Sequence, residues 1–214
     1  MKEPIAITIG RQYGSGGREI GQRVGEQLGF RVYDRDLITL AAEKSGVSPD
    51  YLRRVDEKAT NSLLYTLAMG SSLYGARHLG VDVPINDRLF ITQTDIIKQA
   101  AEEESCVFIG RCADYVLRNH PGRLSFFIHA DIKVRAKRIA ERHQISYDEA
   151  VARINKTDKQ RVNYYNFYTG RKWGRFDNYH LSIDSSVLGI EGTARAIADV
   201  VRVFMTESEE DRKM

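Results

Sequence analysis

Short apolar runs alternate with helical periodicity along the chain, and the order of the two kinds of segment predicts the architecture. Ile5-Ala6-Ile7-Thr8-Ile9 is β-branched and near-continuously apolar, as a strand covered on both faces should be. Ile20, Val24 and Leu28 then repeat at the spacing of one helix face, and Gly29 stands where a helix-ending glycine belongs. A second strand over Phe30–Tyr33 ends at Asp34. Helical pattern resumes from about Asp36 to Ala42, and again after Ser48-Pro49, a cap followed by a first-turn proline. Residues 58–89, with Gly70, Gly75, Gly80 and Pro84 among scattered Leu and Tyr, predict a partly helical insertion. A helix over about 91–104 carries Ile96, Ile97, Ala100 and Ala101 on one side, and Cys106–Ile109 and Leu124–Ile128 are the third and fourth strands. Asp131 caps a helix striped with Ile132, Ala136, Ile139, Ala140 and His143, and Ser146-x-x-Glu149 is a capping box opening the next. Tyr179–Ile183 is the fifth strand and Thr193 to about Phe204 the last helix.

Five short strands separated by helices predict right-handed crossovers, and so an α/β fold with a five-stranded parallel sheet flanked by helices. No repeat or interdomain linker divides the chain, so residues 1–206 are expected to form one domain and 207–214 a polar tail. Ligands of such sheets bind beyond the carboxyl ends of the strands. Three polar clusters fall there: GRQYGSGGRE after the first strand, Asp34 after the second, and GRCAD after the third.

In the first cluster Gly10, Gly14, Gly16 and Gly17 stand between a buried strand and a helix. Such glycines let the backbone turn tightly and aim successive amides into one concavity, in front of the positive end of the helix. The chemistry is anion binding, most naturally phosphate. A Walker A loop, G-x-x-x-x-G-K-[ST], fits in neither register. With Gly16 as its last glycine, Gly17 takes the lysine place; with Gly17 last, Arg18 replaces the lysine and Glu19 the hydroxyl residue. Arg18 is the substitute cation, and Ser15 or Glu19 are the groups available toward a metal, whose ligands stay unassigned. Gly14-x-Gly16 with Asp34 about 20 residues on keeps a dinucleotide site open as a rival. YGSGG approaches a nucleophile elbow, but the five histidines form no ordered constellation with it.

Asp34 can accept from a sugar hydroxyl or base amine, or simply cap the next helix. Arg111 suits a monophosphate or carboxylate, and Asp114 could orient it or read a base. The stretch 153–176 predicts a basic lid. Over Arg153–Arg175 seven basic residues, Lys156, Lys159 and Arg161 among them, face the single acid Asp158, a net of +6 in a chain whose total is +3. Tyr164, Tyr165, Phe167, Tyr168 and Trp173 interleave with them. Cations closing over phosphoryl oxygens would stabilise transferring charge; RNA stacking is the other use of that composition.

Composition narrows the classes. The 214 residues are 42% hydrophobic and 29% charged, with mean hydropathy −0.41 and pI 8.8. That is ordinary globular usage, too mildly basic to announce a nucleic-acid protein. No apolar stretch nears the roughly 20 residues of a membrane helix, and no secretory signal precedes the first strand. Two cysteines without a CxxC fit reduced thiols, so a cytoplasmic location is expected.

The order of AITIGRQYGSGGREIG, YDRDLI, FIGRCADYVL, DKQRVNYYNFYTGRKW and LSIDSS resembles the cytidylate kinase-like family, relatives of the bacterial cytidylate kinases among P-loop nucleoside monophosphate kinases. The resemblance implies a nucleotide-binding phosphotransferase, with ATP as donor, Mg²⁺, and a nucleoside monophosphate, cytidylate by default, as acceptor. It implies that residues 58–89 are the monophosphate-binding insertion. It places Gly14, Ser15, Gly16, Gly17 and Arg18 in the phosphate loop, Asp34 and Arg111 on the family's matching positions, Asp114 displaced from the acid of the GRD box, and Lys156, Lys159 and Arg161 among the phosphate-binding cations of the lid. The candidate site then has Glu19 with the loop at the donor, Asp34, Arg111, Asp114 and Lys156 at the acceptor, and Arg18, Lys159 and Arg161 in transfer. The departures are the missing loop lysine, the missing hydroxyl after it, and Cys112 in place of the acid of a GRD box. They leave a nucleotide-binding regulator with little or no kinase activity as the alternative.

Overall fold

The computed structural model describes residues 4–34 and 85–206. The helices expected near residues 36–42 and after Pro49, the insertion up to residue 84 and the tail 207–214 lie outside the described residues. The described elements are β1 (Ala6–Arg11), α1 (Gly17–Leu28), β2 (Arg31–Tyr33), α2 (Ile85–Glu103), β3 (Cys106–Ile109), α3 (Ala113–Val116), β4 (Arg123–His129), α4 (Ile132–His143), α5 (Tyr147–Thr169), a 3₁₀ turn (Phe176–Asn178), β5 (Leu181–Asp184) and α6 (Ser185–Thr206).

The strands form one parallel sheet in the order β2-β3-β1-β4-β5. β1 is central, with Ala6 to Ile9 opposite Cys106 to Ile109 on one side and Ala6 to Arg11 opposite Arg123 to Ile128 on the other. Both faces are covered, which is why the strands read as continuous apolar runs. Ile7, Ile9, Val107, Phe126 and Ile128 pack on Ile20 and Val24 of α1 and Ala194, Ile197 and Val201 of α6. Ala6, Phe108 and Cys106 point the other way, onto Ile96, Ile97, Ala100 and Ala101 of α2 and Val116 of α3. A third cluster, Ala136, Ile139, Ala150 and Ile154, joins α4 to α5 and takes Tyr13 against it.

Several boundaries differ from the sequence expectation. α2 begins at Ile85, inside the segment assigned to the insertion. β5 begins at Leu181, because the His180 amide and ring are engaged with Ser125 and Tyr179 turns onto Phe127. α6 begins at Ser185 and is broken at Gly189, whose φ of 65° and ψ of −178° leave the helical region, before the apolar stripe from Thr193. The basic stretch is not a separate loop: it continues the capping-box helix, so α5 runs unbroken for 23 residues before Gly170 ends it in a left-handed cap.

Gly25, in the middle of α1, shows how closely helix and sheet approach. A Cβ there would overlap Val32 Cγ2 and lie 2.9 Å from the Phe30 carbonyl oxygen. On an open helix alanine is favoured over glycine by about 1 kcal/mol. Here Gly25→Ala is expected to reverse that sign and lower unfolding free energy by about 1–3 kcal/mol, since neither a β-branched side chain nor a carbonyl can swing clear. Urea denaturation of the two proteins checks this; a stabilised variant would refute the tight contact.

Candidate functional site

The chain leaves β1 at Arg11 and turns at once. The Gln12 carbonyl accepts from the Ser15 amide (3.3 Å) and hydroxyl (2.9 Å), and Gly14 and Gly16 both sit at φ +81°. Gly16 is the N-cap and α1 starts at Gly17, so Gly16 is the last loop glycine and Gly17 takes the next place. The loop's carbonyls are held from behind. Arg138 Nη1 donates to Gly14 O at 2.7 Å, Arg135 Nη1 to Tyr13 O at 3.3 Å, and Ser185 Oγ to Ser15 O at 2.6 Å. In a trans peptide the amide points opposite to the carbonyl, so the Ser185 contact turns the Gly16 amide away from α6. The amides of Gly16, Arg18 and Glu19 donate to nothing among the described residues, while Gly17 N reaches Ser15 Oγ at 3.3 Å. Free amides at a helix N-terminus form an anion site.

Around that loop the three clusters do meet, because β2, β3 and β1 are neighbours in the sheet. Arg18 is exposed and pairs with Asp34 at the end of β2. Glu19 faces the other way, pairing with Arg23 at 3.0 Å and lying 3.9 Å from Arg142 of α4. Arg161 of α5 donates to Arg11 O at 2.8 Å, and its guanidinium lies 5.6 Å from the Tyr13 ring centre. Burial pulls Arg161 below the ordinary arginine value, Asp158 and Tyr13 oppose that, and the fields of Arg111 and Asp34 also reach it. Residues from β2, β3 and α5 thus act on one another at the mouth of the loop.

The turn after β3 is conformationally unusual. Gly110, Arg111 and Cys112 are three successive left-handed residues, at φ of 79°, 56° and 55°. For Arg111 and Cys112 this is unfavourable by roughly 1–2 kcal/mol per residue, and such conformations concentrate where function demands a particular direction. Asp114 lies below this turn, 5% exposed, accepting from the Tyr165 hydroxyl at 2.6 Å. Burial raises its pKa and the Tyr165 hydrogen bond opposes the rise.

The structure therefore brings together Gly14 to Arg18, Asp34, Arg111 and Arg161. It sets Asp114 behind them. Lys156 and Lys159 are exposed, and at about 100° per residue Lys156 lies on the side of α5 away from Asp158 and Arg161. The aromatic residues of the basic stretch pack inward: Tyr168 stacks on Phe90 at 4.1 Å and donates to Asp87 at 3.0 Å, and Trp173 meets Phe127 edge-on at 5.2 Å. Sequence reading missed Arg11, Arg135, Arg138, Asp158 and Ser185. One signal was available for Asp158, a lone acid among seven cations, and it accepts both Tyr13 N (2.8 Å) and Arg135 Nη1 (2.6 Å).

Among the described residues no group of three or more His, Cys, Asp or Glu could cage a metal, and no helix is long and apolar enough to cross a membrane. Burial pushes the Cys106 thiol up to about 12 and Cys112 well above its usual value, so neither is a thiolate.

Residues 6–187, which hold the sheet, the glycine loop and the converging arginines, match the cytidylate kinase-like family. The chain belongs to that family. It is 26% identical over 193 residues to a cytidylate kinase of Pyrococcus horikoshii, covering 89% of this chain and 85% of the relative. A cytidylate kinase of Methanopyrus kandleri is 26% identical over 191 residues, with 85% of each chain covered. Among solved structures, a protein of Eubacterium ventriosum superposes with TM-score 0.68 at 26% identity, over 92% of this chain and 98% of that one. A shikimate kinase of Bacteroides thetaiotaomicron shares the fold, with TM-score 0.53 at 11% identity over 92% of this chain and 98% of that one. The family and its relatives make this a kinase-like protein.

The buried carboxyl gives a pH-dependent expectation. An acid held above its ordinary value binds its proton more tightly folded than unfolded. Its contribution is full below the unfolded value and is lost as pH rises through the folded one. Asp114→Asn, which keeps an acceptor for Tyr165, is expected to gain stability over the natural protein at about pH 7 and less at about pH 4, near the unfolded value. Urea midpoints at both pH values measure it; equal gains would show that Asp114 carries no charge-burial penalty.

Proposed function

We propose that this protein transfers the γ-phosphoryl group of ATP to a nucleoside monophosphate, with cytidylate the first acceptor to test. The observation that carries the reading is the glycine loop at the start of α1, whose Gly16, Arg18 and Glu19 amides donate to nothing among the described residues, flanked by Arg161 on the Arg11 carbonyl and by the Arg18–Asp34 pair. The relatives named cytidylate kinase support it.

In this reading the amides of Gly16, Arg18 and Glu19 hold the donor phosphates, and Gly14, Ser15 and Gly17 shape the loop. Arg111 at the end of β3 takes the acceptor phosphate. Asp34, with Arg18 beside it, orients the acceptor's sugar or base. An acceptor phosphate oxygen attacks the γ-phosphorus, the bond to the β,γ-bridging oxygen breaks, and the electron pair leaves on ADP. That oxygen is already ionised, so no general base is required. Positioning and charge compensation carry the catalysis, with Arg161 the cation closest to the loop from α5. Lys156 and Lys159 contribute a positive field that draws polyanions toward this face. Mg²⁺ bound with ATP would neutralise β- and γ-oxygens. Such an ion is held largely by phosphates and water, which suits a loop where Ser15 is turned inward to Gln12 and Asp34 is paired with Arg18. Asp114 serves by fixing α5 through Tyr165.

A coupled ADP-release assay with ATP, Mg²⁺ and a panel of nucleoside monophosphates tests the reading. ADP formation that depends on one monophosphate is expected. ATP binding with every monophosphate left unphosphorylated would replace the enzyme with a nucleotide-binding regulator. Arg111→Ala removes a charge-assisted contact of about 1.5–3 kcal/mol and is expected to raise the acceptor KM roughly tenfold to a hundredfold, leaving the ATP KM within about twofold.

A further inference from the structure

The loop lacks the lysine that ordinarily follows its last glycine, and the structure shows what occupies that space. A Cβ on Gly17 would lie 2.5 Å from Arg11 Cβ and 3.0 Å from Arg11 Cγ. At the far end of the same side chain, a Cβ on Gly110 would overlap Arg11 Nη1 and lie 2.8 Å from Cζ and 3.2 Å from Nη2. The aliphatic stem of Arg11 therefore runs over position 17 and its guanidinium rests at position 110, between the glycine loop and the Arg111 turn. Both flanking residues are glycines, so the side chain passes where any Cβ would block it. Its backbone is fixed as well, because Arg161 Nη1 donates to Arg11 O. Arg18 stands instead on the exposed side, paired with Asp34.

We propose that Arg11 is a catalytic residue that supplies, from the end of β1, the positive charge a phosphate-loop lysine would supply from position 17. The inference rests on the phosphoryl-transfer reading above and adds a residue to it. As the bond between the γ-phosphorus and the bridging oxygen breaks and the bond to the acceptor oxygen forms, negative charge grows on the leaving ADP. A planar guanidinium donates two parallel N–H groups to such oxygens, where an ammonium offers a point charge.

The test uses Arg11→Met, which keeps the stem over Gly17, with Arg11→Lys, Gly17→Lys, Arg11→Gly and the Arg11→Gly/Gly17→Lys pair. Two quantities are read: calorimetric affinity for inorganic tripolyphosphate, and ADP release with the acceptor found above. Thermal unfolding confirms that each variant is folded. Arg11→Met is expected to bind tripolyphosphate on the order of tenfold more weakly and to turn over on the order of 10²-fold more slowly, with Arg11→Lys between it and the natural protein. Gly17→Lys alone is expected to weaken both, since its side chain meets the Arg11 stem. The same lysine is expected to improve on Arg11→Gly, where the Cβ and the stem that block it are both gone. This change of sign identifies a shared space and a shared charge.

A folded Arg11→Met with unchanged affinity and turnover would overturn the inference while leaving the kinase reading intact. So would a double variant no better than Arg11→Gly. A natural protein that binds no tripolyphosphate and releases no ADP would overturn the kinase reading itself. Should Arg11→Gly not fold, the Met and Lys variants still decide.

Discussion

One carboxylate holds the site in shape. Asp158 accepts from the Tyr13 amide in the glycine loop and from Arg135 of α4, so loop, α4 and α5 share a single half-buried anion. A buried ion pair is weak evidence for net stability, because desolvating two charges offsets much of their attraction. Its value here is directional. Losing the carboxylate would leave Arg135, a buried residue, without the counter-charge that it has there, though still on the Tyr13 carbonyl, and would leave the Tyr13 amide with no acceptor among the described residues. With Asp158 set, helical spacing does the rest. Arg161, Tyr165 and Tyr168 follow on the same stripe of α5 and reach the Arg11 carbonyl, Asp114 of α3 and Asp87 of α2 in turn. One helix face thus spans the carboxyl edge of the sheet from the glycine loop to α2.

That arrangement gives the stretch expected as a basic lid a second, inward face. Net charge and aromatic content describe the segment as a whole, whereas its role is divided by face. Lys156 and Lys159 go to solvent while Asp158, Arg161, Tyr165 and Tyr168 go inward. The strands were legible because β-branched runs covered on both faces leave few other choices, and the glycine loop was legible because its purpose is written in local backbone freedom. The Asp158 contact was not, since its partner amide is 145 residues earlier in the chain. The same holds for Ser185, whose hydroxyl finds the Ser15 carbonyl only once β5 has been placed at the edge of the sheet. Register in the loop was undecidable from glycines alone; the left-handed cap at Gly16 selects it.

The two unusual features of the mouth have one origin. Gly17 and Gly110 are both needed to admit the Arg11 side chain, and the left-handed conformation begun at Gly110 continues through two residues with side chains. Arg111 is thereby turned at the strand end, and Cys112, almost wholly buried, anchors the turn as a small apolar group. Strain at Arg111 and Cys112 is compensated by that anchoring and by Ala113, whose amide returns to the Gly110 carbonyl.

Charge completes the argument. Arg11 and Arg161 meet at the carboxyl end of β1, where Arg161 donates to the Arg11 carbonyl, and among the described residues the fields of Asp158 and Asp34 reach Arg161. Asp158 is shared with Arg135 and Asp34 is paired with Arg18. Salt screens partly buried charges less than exposed ones, so the field of Arg161, which donates to the Arg11 carbonyl, persists at the mouth of the loop. In the proposed reading a polyanion entering beside the amides of Gly16, Arg18 and Glu19 gains from that field as well as from its own hydrogen bonds. Asp158, Ser185 and the α5 stripe are what hold loop and cation in that relation.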